Sequence, residues 1–125
     1  MTDSPQLDEA TRVAREYYNS HDADNFYAEV WGGEDIHVGL YDSDSEPIAD
    51  ASRRTVDVMA DQIDDLGPEH TVLDIGAGFG GAARRLHERL GCTVICLNLS
   101  EAENERNRAM NAERGLTDRI KVIDG

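Results

Sequence analysis

The feature that most narrows the possible folds is a run of glycines set between a strand and a helix. Residues Val72 to Gly81 read VLDIGAGFGG. Before the glycines, TVLDI is a short apolar run of strand type. After them, AARRLHERL has helical spacing and is stopped by Gly91. The order then repeats: TVICLNL as a strand, EAENERNRAMNAER as a helix stopped by Gly115, and a strand beginning at Ile120. A β-α-β-α-β series is the signature of a parallel sheet with right-handed crossovers. Residues 69–125 are therefore expected to form the first half of a Rossmann-like α/β fold, a three-layer α/β/α sandwich. Half a doubly wound sheet leaves an edge and part of an apolar face open. The expectation is that the chain is the front portion of a longer protein.

Residues 1–68 read as a helical cap. A first helix runs from about Leu7 to Tyr18, with Leu7, Ala10, Ala14, Tyr17 and Tyr18 on one stripe, and the polar NSHDAD breaks it. A second, short helix carries Phe26, Tyr27, Val30 and Trp31 and stops at Gly32-Gly33. IHVGLY is expected to be an ordered turn or short strand, and YDSDSEP a loop. A helix over about Ala49 to Leu66 buries Val56, Met59, Ala60, Ile63 and Leu66, and Gly67-Pro68 closes it.

Composition limits the partners. The 125 residues carry 26 acidic and 12 basic side chains, a net charge of −14, and Lys121 is the one lysine beside eleven arginines. Such a charge repels nucleic acid and anionic membranes. At 39% hydrophobic the chain is nevertheless able to build a core. No segment approaches the ~18 apolar residues of a membrane span. MTDSPQLDEATR has no basic region leading into an apolar run, so it does not read as a signal peptide, and the cytoplasm fits. Cys92 and Cys96 lie four apart in a strand, ~13 Å between Cα atoms and too far for a disulfide. They read as two small buried hydrophobes, with no metal site. An acidic, arginine-rich and lysine-poor balance is that of salt-adapted proteins, and also of ordinary acidic bacterial ones.

The glycine run satisfies two templates. Gly76, Gly78 and Gly81 fit G-x-G-x-x-G, while Asp74 with Gly76, Gly78 and Gly80 fits D-x-G-x-G-x-G. Both let backbone approach a ligand beside a helix N-terminus. Asp74 separates the two: a dinucleotide brings a pyrophosphate, which a carboxylate at the strand end repels. S-adenosylmethionine brings an ammonium and a sulfonium, which suit it, and is the favoured cofactor over a nicotinamide or flavin. A structural Asp74 capping the turn is compatible with either. Asn98, at the end of the second strand and twenty residues after Gly78, is placed to bond a ribose hydroxyl through its amide. Ser100 and Glu103 match the capping box S-x-x-E, so Glu103 is expected to cap its helix rather than contact a ligand, although it sits close enough for both.

Four stretches, YYNSHDADNFYAEVWGGEDIHVGLY, DASRRTVDVM, VLDIGAGFGG and CLNLSEAENERNRAMNAERGL, together resemble the sarcosine/dimethylglycine N-methyltransferases, which make glycine betaine. These are class I S-adenosylmethionine-dependent methyltransferases. The resemblance runs from about Ala14 to Gly125. It implies cofactor contacts at Asp74, Gly76, Ala77, Gly78, Asn98 and Leu99. It also implies an N-terminal lid in which Tyr18, Trp31 and His37 lie near the methyl donor. The substrates it implies are small amines, sarcosine and dimethylglycine. A neighbouring family, the phosphoethanolamine methyltransferases, shares the loop but usually carries an acid where this chain has Asn98. A non-catalytic nucleotide-binding module is the alternative outside enzymology.

Methyl transfer to an amine is an in-line displacement that depends on alignment and exclusion of water. A tertiary amine must arrive unprotonated, and His37 is a candidate to take that proton, or else a turn residue held by backbone. Tyr17, Tyr18, Phe26, Tyr27 and Trp31 put five of seven aromatics within fifteen residues, as core or as partners for an onium centre. Arg53 and Arg54 are candidates for a substrate carboxylate.

Overall fold

A computed structural model describes residues 6–31 and 34–125. The expected stop at Gly32-Gly33 lies outside the described residues. The N-terminal part holds three helices, α1 (Glu9–Asn19), α2 (His21–Glu29) and α3 (Ile48–Asp61). Three strands, β1 (Thr71–Ile75), β2 (Thr93–Asn98) and β3 (Ile120–Asp124), alternate with α4 (Gly81–Leu90) and α5 (Glu101–Glu113). The strands pair in the order β1-β2-β3, all parallel, with Thr71 opposite Thr93 and Val94 opposite Ile120. The β-α-β-α-β series stands where the glycine run and the spacing put it.

Each helix begins for a local reason. The Asp8 carboxylate accepts the Thr11 N–H at 2.7 Å and caps α1. NSHDAD breaks the chain at Ser20 alone: the Ser20 hydroxyl accepts the Ala23 N–H, and His21 to Asp24 form the first turn of α2. Gly91 ends α4 in the left-handed conformation at φ 75°, as a glycine C-cap does. The segment IHVGLY is an ordered turn without strand pairing. Its Leu40 N–H bonds the Ala51 carbonyl.

The third helix departs from expectation at its C-terminus. It stops at Asp61, with Gln62 as its cap, rather than near Leu66. Gly67-Pro68 closes a separate turn before β1, in which the His70 N–H bonds the Gly67 carbonyl. The buried stripe of α3 is Ala51, Ser52, Val56 and Ala60, while Met59 and Ile63 are mostly exposed. Small residues win that stripe because it packs closely on α4 and the 34–40 turn. Met59 and Ile63 instead line an apolar groove with Val72 and Leu73 beside the unpaired edge of β1.

The apolar core is small. Ala83, Cys92, Val94, Cys96 and Ile120 form it, and both cysteines are free and buried there. Leu73, Ile75 and Ile123, on the opposite face of the sheet, are exposed. Beside this core lies a buried polar seam on α5, Glu103, Asn104, Asn107 and Asn111, facing Arg84 of α4. The Arg84 guanidinium donates to Glu34 at 2.8 Å, Asn107 at 2.9 Å, Asn111 at 3.0 Å and the Phe79 carbonyl at 2.5 Å. Among the described residues no helix is long and apolar enough to cross a membrane.

Charge is distributed unevenly between the two parts. Residues 1–68 hold seventeen of the 26 acids and four of the twelve basic residues. They meet the sheet-bearing part through ion pairs: Asp24–Arg106 at 2.6 Å, Glu34–Arg114 and Asp57–Arg85 at 2.8 Å, and Asp61–Arg89 at 3.0 Å.

Truncation of the hub discriminates it from surface pairs. Arg84→Ala is expected to lower the unfolding free energy by about 3 kcal/mol, since it leaves the buried Asn107, Asn111 and Phe79 oxygens without their donor. Arg12→Ala, which removes an exposed pair with Glu9, is expected to leave the urea midpoint essentially unchanged. Urea denaturation of the two variants checks both.

Candidate functional site

The glycine turn carries the backbone over the C-terminal ends of the strands. The Gly76 N–H bonds the Leu97 carbonyl at 2.8 Å, which extends the ladder one residue past β1. Gly76, Gly78 and Gly80 all have positive φ. Their surroundings differ. A Cβ on Gly80 would lie 2.1 Å from Asn107 Oδ1, and one on Gly78 would lie 2.8 Å from Ile36 Cδ1. One on Gly76 would meet nothing within 4 Å. Close approach of protein thus explains Gly78 and Gly80, and Gly76 faces open space.

Two cavities meet at Gly76 and Ile36. The larger, about 380 Å³, is bounded by Gly76, Gly78, Leu97, Asn98, Leu99 and Glu103, with Ala14 and Tyr18 of α1 over it. The smaller, about 100 Å³, is bounded by Asp74, Gly76 and Ala77 of the loop and by Asp35 and His37 of the turn.

At the end of β2 the local hydrogen bonding differs from the expected box. The Ser100 hydroxyl accepts the Glu103 N–H at 3.3 Å, so the first half of the box is present. The Glu103 carboxylate does not complete it. Its Oε1 accepts from Asn98 Nδ2 at 3.3 Å, and its Oε2 is buried without a partner. Asn19 of α1 does the remaining capping, because its Oδ1 accepts both the Ala102 N–H and the Ser100 hydroxyl. Glu103, read from sequence first as a cap, lines the larger cavity. The signal available was its place one helical turn beyond Asn98. Burial pushes its carboxyl pKa up, against the hydrogen bond from Asn98.

Asp74 stands at the mouth of the smaller cavity with Oδ2 buried and unpartnered, and burial pushes its carboxyl up, opposed by His37. His37 is fixed on both sides of its peptide. Its carbonyl accepts from Trp31 Nε1 at 2.8 Å and from the Ser52 hydroxyl at 3.1 Å. Its Nε2 lies 2.8 Å from the Ser52 carbonyl. A carbonyl only accepts, so Nε2 carries the proton and Nδ1 has the lone pair in neutral His37.

Of the residues read from sequence, Tyr18, Gly76, Gly78, Asn98 and Leu99 meet at the larger cavity. Asp74, Ala77 and His37 meet at the smaller. Trp31 lines neither: its indole N–H requires a partner and finds it in the His37 carbonyl, behind the turn. The aromatic cluster is continuous, from Tyr17 against Tyr18 at 5.0 Å to Tyr27 against Trp31 at 6.0 Å. Burial, with Tyr17, Tyr18 and Glu103 as neighbours, pushes the Tyr27 hydroxyl up to about 12. Arg54 is engaged by Glu46, by Asp42 and by the Leu40 carbonyl, so it is not free for a substrate carboxylate.

A parallel sheet with a glycine turn after β1 and a polar cavity across its strand ends is the class I methyltransferase form of the α/β fold. Residues 6–124 match the family described as mycolic acid cyclopropane synthetase, and the chain belongs to that family. It is 62% identical over 117 residues to a sarcosine/dimethylglycine N-methyltransferase of Halorhodospira halochloris, covering 94% of this chain and 42% of that one. It is 59% identical over 116 residues to a glycine/sarcosine/dimethylglycine N-methyltransferase of Actinopolyspora halophila, covering 93% and 20%. A crystal structure assigned to a sarcosine dimethylglycine methyltransferase of Galdieria sulphuraria superposes with a TM-score of 0.76 at 45% identity, over 83% of this chain and 41% of that chain. The chain thus spans less than half the length of each.

Burial of an ionised, half-satisfied Glu103 costs stability. The sign follows from its raised pKa: the folded state holds the proton more tightly than the unfolded one, so the cost is greatest at neutral pH and fades on acidification. Glu103→Gln is therefore expected to stabilise the chain by about 1 kcal/mol at pH 7. Thermal melts of both forms at falling pH should show the gap between their midpoints closing.

Proposed function

We propose that this chain is the cofactor-binding portion of an S-adenosylmethionine-dependent N-methyltransferase that converts sarcosine and dimethylglycine to glycine betaine. The observation that carries the reading is the acid that lines each of the two cavities meeting at Gly76. Glu103 lines the larger and Asp74 the smaller, and each carboxylate keeps one buried oxygen without a donor. Such acceptors fit hydroxyl and ammonium groups and repel phosphates. Asp74 at the end of β1 therefore favours S-adenosylmethionine over a dinucleotide's pyrophosphate. The identities of 62% and 59% to enzymes named for sarcosine and dimethylglycine support the substrate class.

In this reading Asn98 and Glu103 hold the ribose hydroxyls, Leu97 and Leu99 flank the adenosine, and Asp74 faces the ammonium. Gly76 and Ala77 give the backbone surface between the two ends. When bound, the cofactor supplies an electrophilic methyl group on a positive sulfur. The chain contributes alignment and dryness. Residues 1–68 act as a lid over residues 69–125, with Tyr18 above the larger cavity and the 34–37 turn against the smaller one. The amine needs no base at the moment of attack if it is tertiary and already unprotonated. His37 Nδ1 is the lone pair on hand to accept an ammonium proton beforehand. The lid's acidic surface suits a cytoplasmic protein that stays soluble at high salt, where an osmoprotectant is made. Small-molecule amines, and no nucleic acid or membrane, are the partners.

Calorimetry with S-adenosylmethionine and with NAD separates the cofactors, and binding of NAD alone overturns the reading. Asn98→Ala and Glu103→Ala are each expected to weaken S-adenosylmethionine binding about tenfold or more. Transfer of a labelled methyl group to dimethylglycine and sarcosine, measured in high salt, tests the substrates. Its absence from a folded protein that binds the cofactor sinks the assignment to these amines.

A further inference from the structure

The first turn of α5 is capped from outside its own segment. Asn19, the last residue of α1, places its Oδ1 2.7 Å from the Ser100 hydroxyl and 3.1 Å from the Ala102 N–H. A backbone N–H only donates, so the atom facing it is the amide oxygen, whose two lone pairs take both donors. The Ser100 hydroxyl, having given its proton to Asn19, accepts the Glu103 N–H at 3.3 Å. The Ser100 hydroxyl and the Ala102 and Glu103 N–H groups are thereby satisfied without the Glu103 carboxylate. That carboxylate accepts from Asn98 Nδ2 instead, and Asn98 and Glu103 both line the larger cavity.

This arrangement requires α1 to lie on α5. Arg15, one turn before Asn19, pairs with Glu101, the neighbour of Ala102. Ser20 ends α1 directly after Asn19. Its hydroxyl donates to the Tyr17 carbonyl at 2.6 Å and accepts the Ala23 N–H at 3.2 Å, which turns the chain into α2. Asp24 of α2 then meets Arg106 of α5 at 2.6 Å, and the Arg106 guanidinium lies 5.2 Å from the centre of the Phe79 ring in the glycine loop. The pairs of Arg15 and Asp24 thus bracket Asn19. Ala14 and Tyr18, on the helix that brings the amide, line the larger cavity. With α1 undocked, the S-x-x-E sequence is left to itself, and the Glu103 carboxylate is the local partner for the Ser100 N–H, as in a complete capping box.

We propose that Asn19 is a positioning residue for the cofactor. By taking the Ser100 hydroxyl and the Ala102 N–H, it holds the Glu103 carboxylate on Asn98 and out of the capping box. The Asn98–Glu103 wall of the larger cavity is therefore set only while α1 is docked on α5. This rests on the cofactor reading above, which gives the ribose hydroxyls to Asn98 and Glu103, and deepens it with what places them. Asn19 does not itself bound the larger cavity and acts through Ser100, Ala102 and Glu103. Covering the cavity with α1 and aligning its acid are then one event.

The test has two readouts, one of them without cofactor. In thermal melts of the unliganded chain, Glu103→Gln is expected to raise the midpoint by about 4 °C. In an Asn19→Ala background that gain should be lost, because Glu103 there closes its own box and Gln does no more than replace it. In Asn19→Asp, which keeps an acceptor oxygen in the same place, the gain should persist. An equal gain in all three backgrounds overturns the proposal. The second readout is calorimetry with S-adenosylhomocysteine. Asn19→Ala is expected to weaken binding about fivefold, but less than about twofold where Glu103 is already replaced by alanine. Asn19→Asp should stay within about twofold of the unsubstituted chain. The same loss with and without the Glu103 carboxylate marks Asn19 as merely structural and overturns the proposal. Undiminished affinity in Asn19→Ala overturns it as well. Failure of the unsubstituted chain to bind S-adenosylmethionine or S-adenosylhomocysteine overturns the cofactor reading, while the melts still decide whether Asn19 sets Glu103. Asn19→Ser, whose hydroxyl stops one atom short of the amide oxygen, repeats both comparisons should Asn19→Ala not fold.

Discussion

Everything that positions the cavities depends on one buried guanidinium. Arg84 is 3% exposed and reaches four places at once: the glycine loop through the Phe79 carbonyl, α5 through Asn107 and Asn111, and the N-terminal turn through Glu34. A buried ion pair is weak evidence for stability as such, because desolvation offsets its attraction. What it confers here is a fixed geometry. Asn107, held by Arg84, fills the space against Gly80 that any Cβ would occupy. Asn104, one turn earlier, donates to the Asn98 carbonyl and to Asp124, and so sets the end of β2 against that of β3. A polar thread runs from the strand ends through the seam on α5 to the turn that carries Asp35 and His37.

That seam explains why some of the molecule was legible in the sequence and some was not. Strands and helices from Thr71 onward follow from apolar runs and glycine stops, which report local backbone preference directly. The end of α3 does not, because Ile63 and Leu66 continue a helical period that the chain leaves at Asp61. Met59 reads as core from spacing alone, yet the stripe that packs is the one with small residues, Ser52, Val56 and Ala60. Asn104, Asn107 and Asn111 carry no apolar signal at all and are fully or almost fully buried. Asn107 and Asn111 are held by Arg84, 23 and 27 positions away, and Asn104 by the ends of β2 and β3, which no local pattern encodes.

At the site the same division holds. Gly76, Asn98 and Asp74, which a glycine turn's fixed offsets single out, all line the cavities. Glu103 was assigned to a capping box on equally good local grounds, and the box is half formed. Asn19 of α1 takes over the capping at Ala102, which leaves the Glu103 carboxylate to Asn98 and the cavity. Only the docking of a helix from 80 positions upstream decides between those roles. Trp31 likewise is read from sequence as part of the second helix, but α2 ends at Glu29 and the indole N–H donates to the His37 carbonyl, so Trp31 lines neither cavity.

The charge of −14 takes on a more specific meaning when placed on the fold. Acids concentrate in residues 1–68, and arginines on α4 and α5 meet them with Arg84, Arg85, Arg89, Arg106 and Arg114. Half-exposed pairs of this kind are individually worth little. In number they join the N-terminal helices to α4 and α5. Three acids at the cavities, Asp35, Asp74 and Glu103, escape that pairing and keep an oxygen without a donor. Paired acids and unpaired acids thus divide the work. The former hold the N-terminal part against α4 and α5, and the latter leave buried oxygens beside the cavities short of donors.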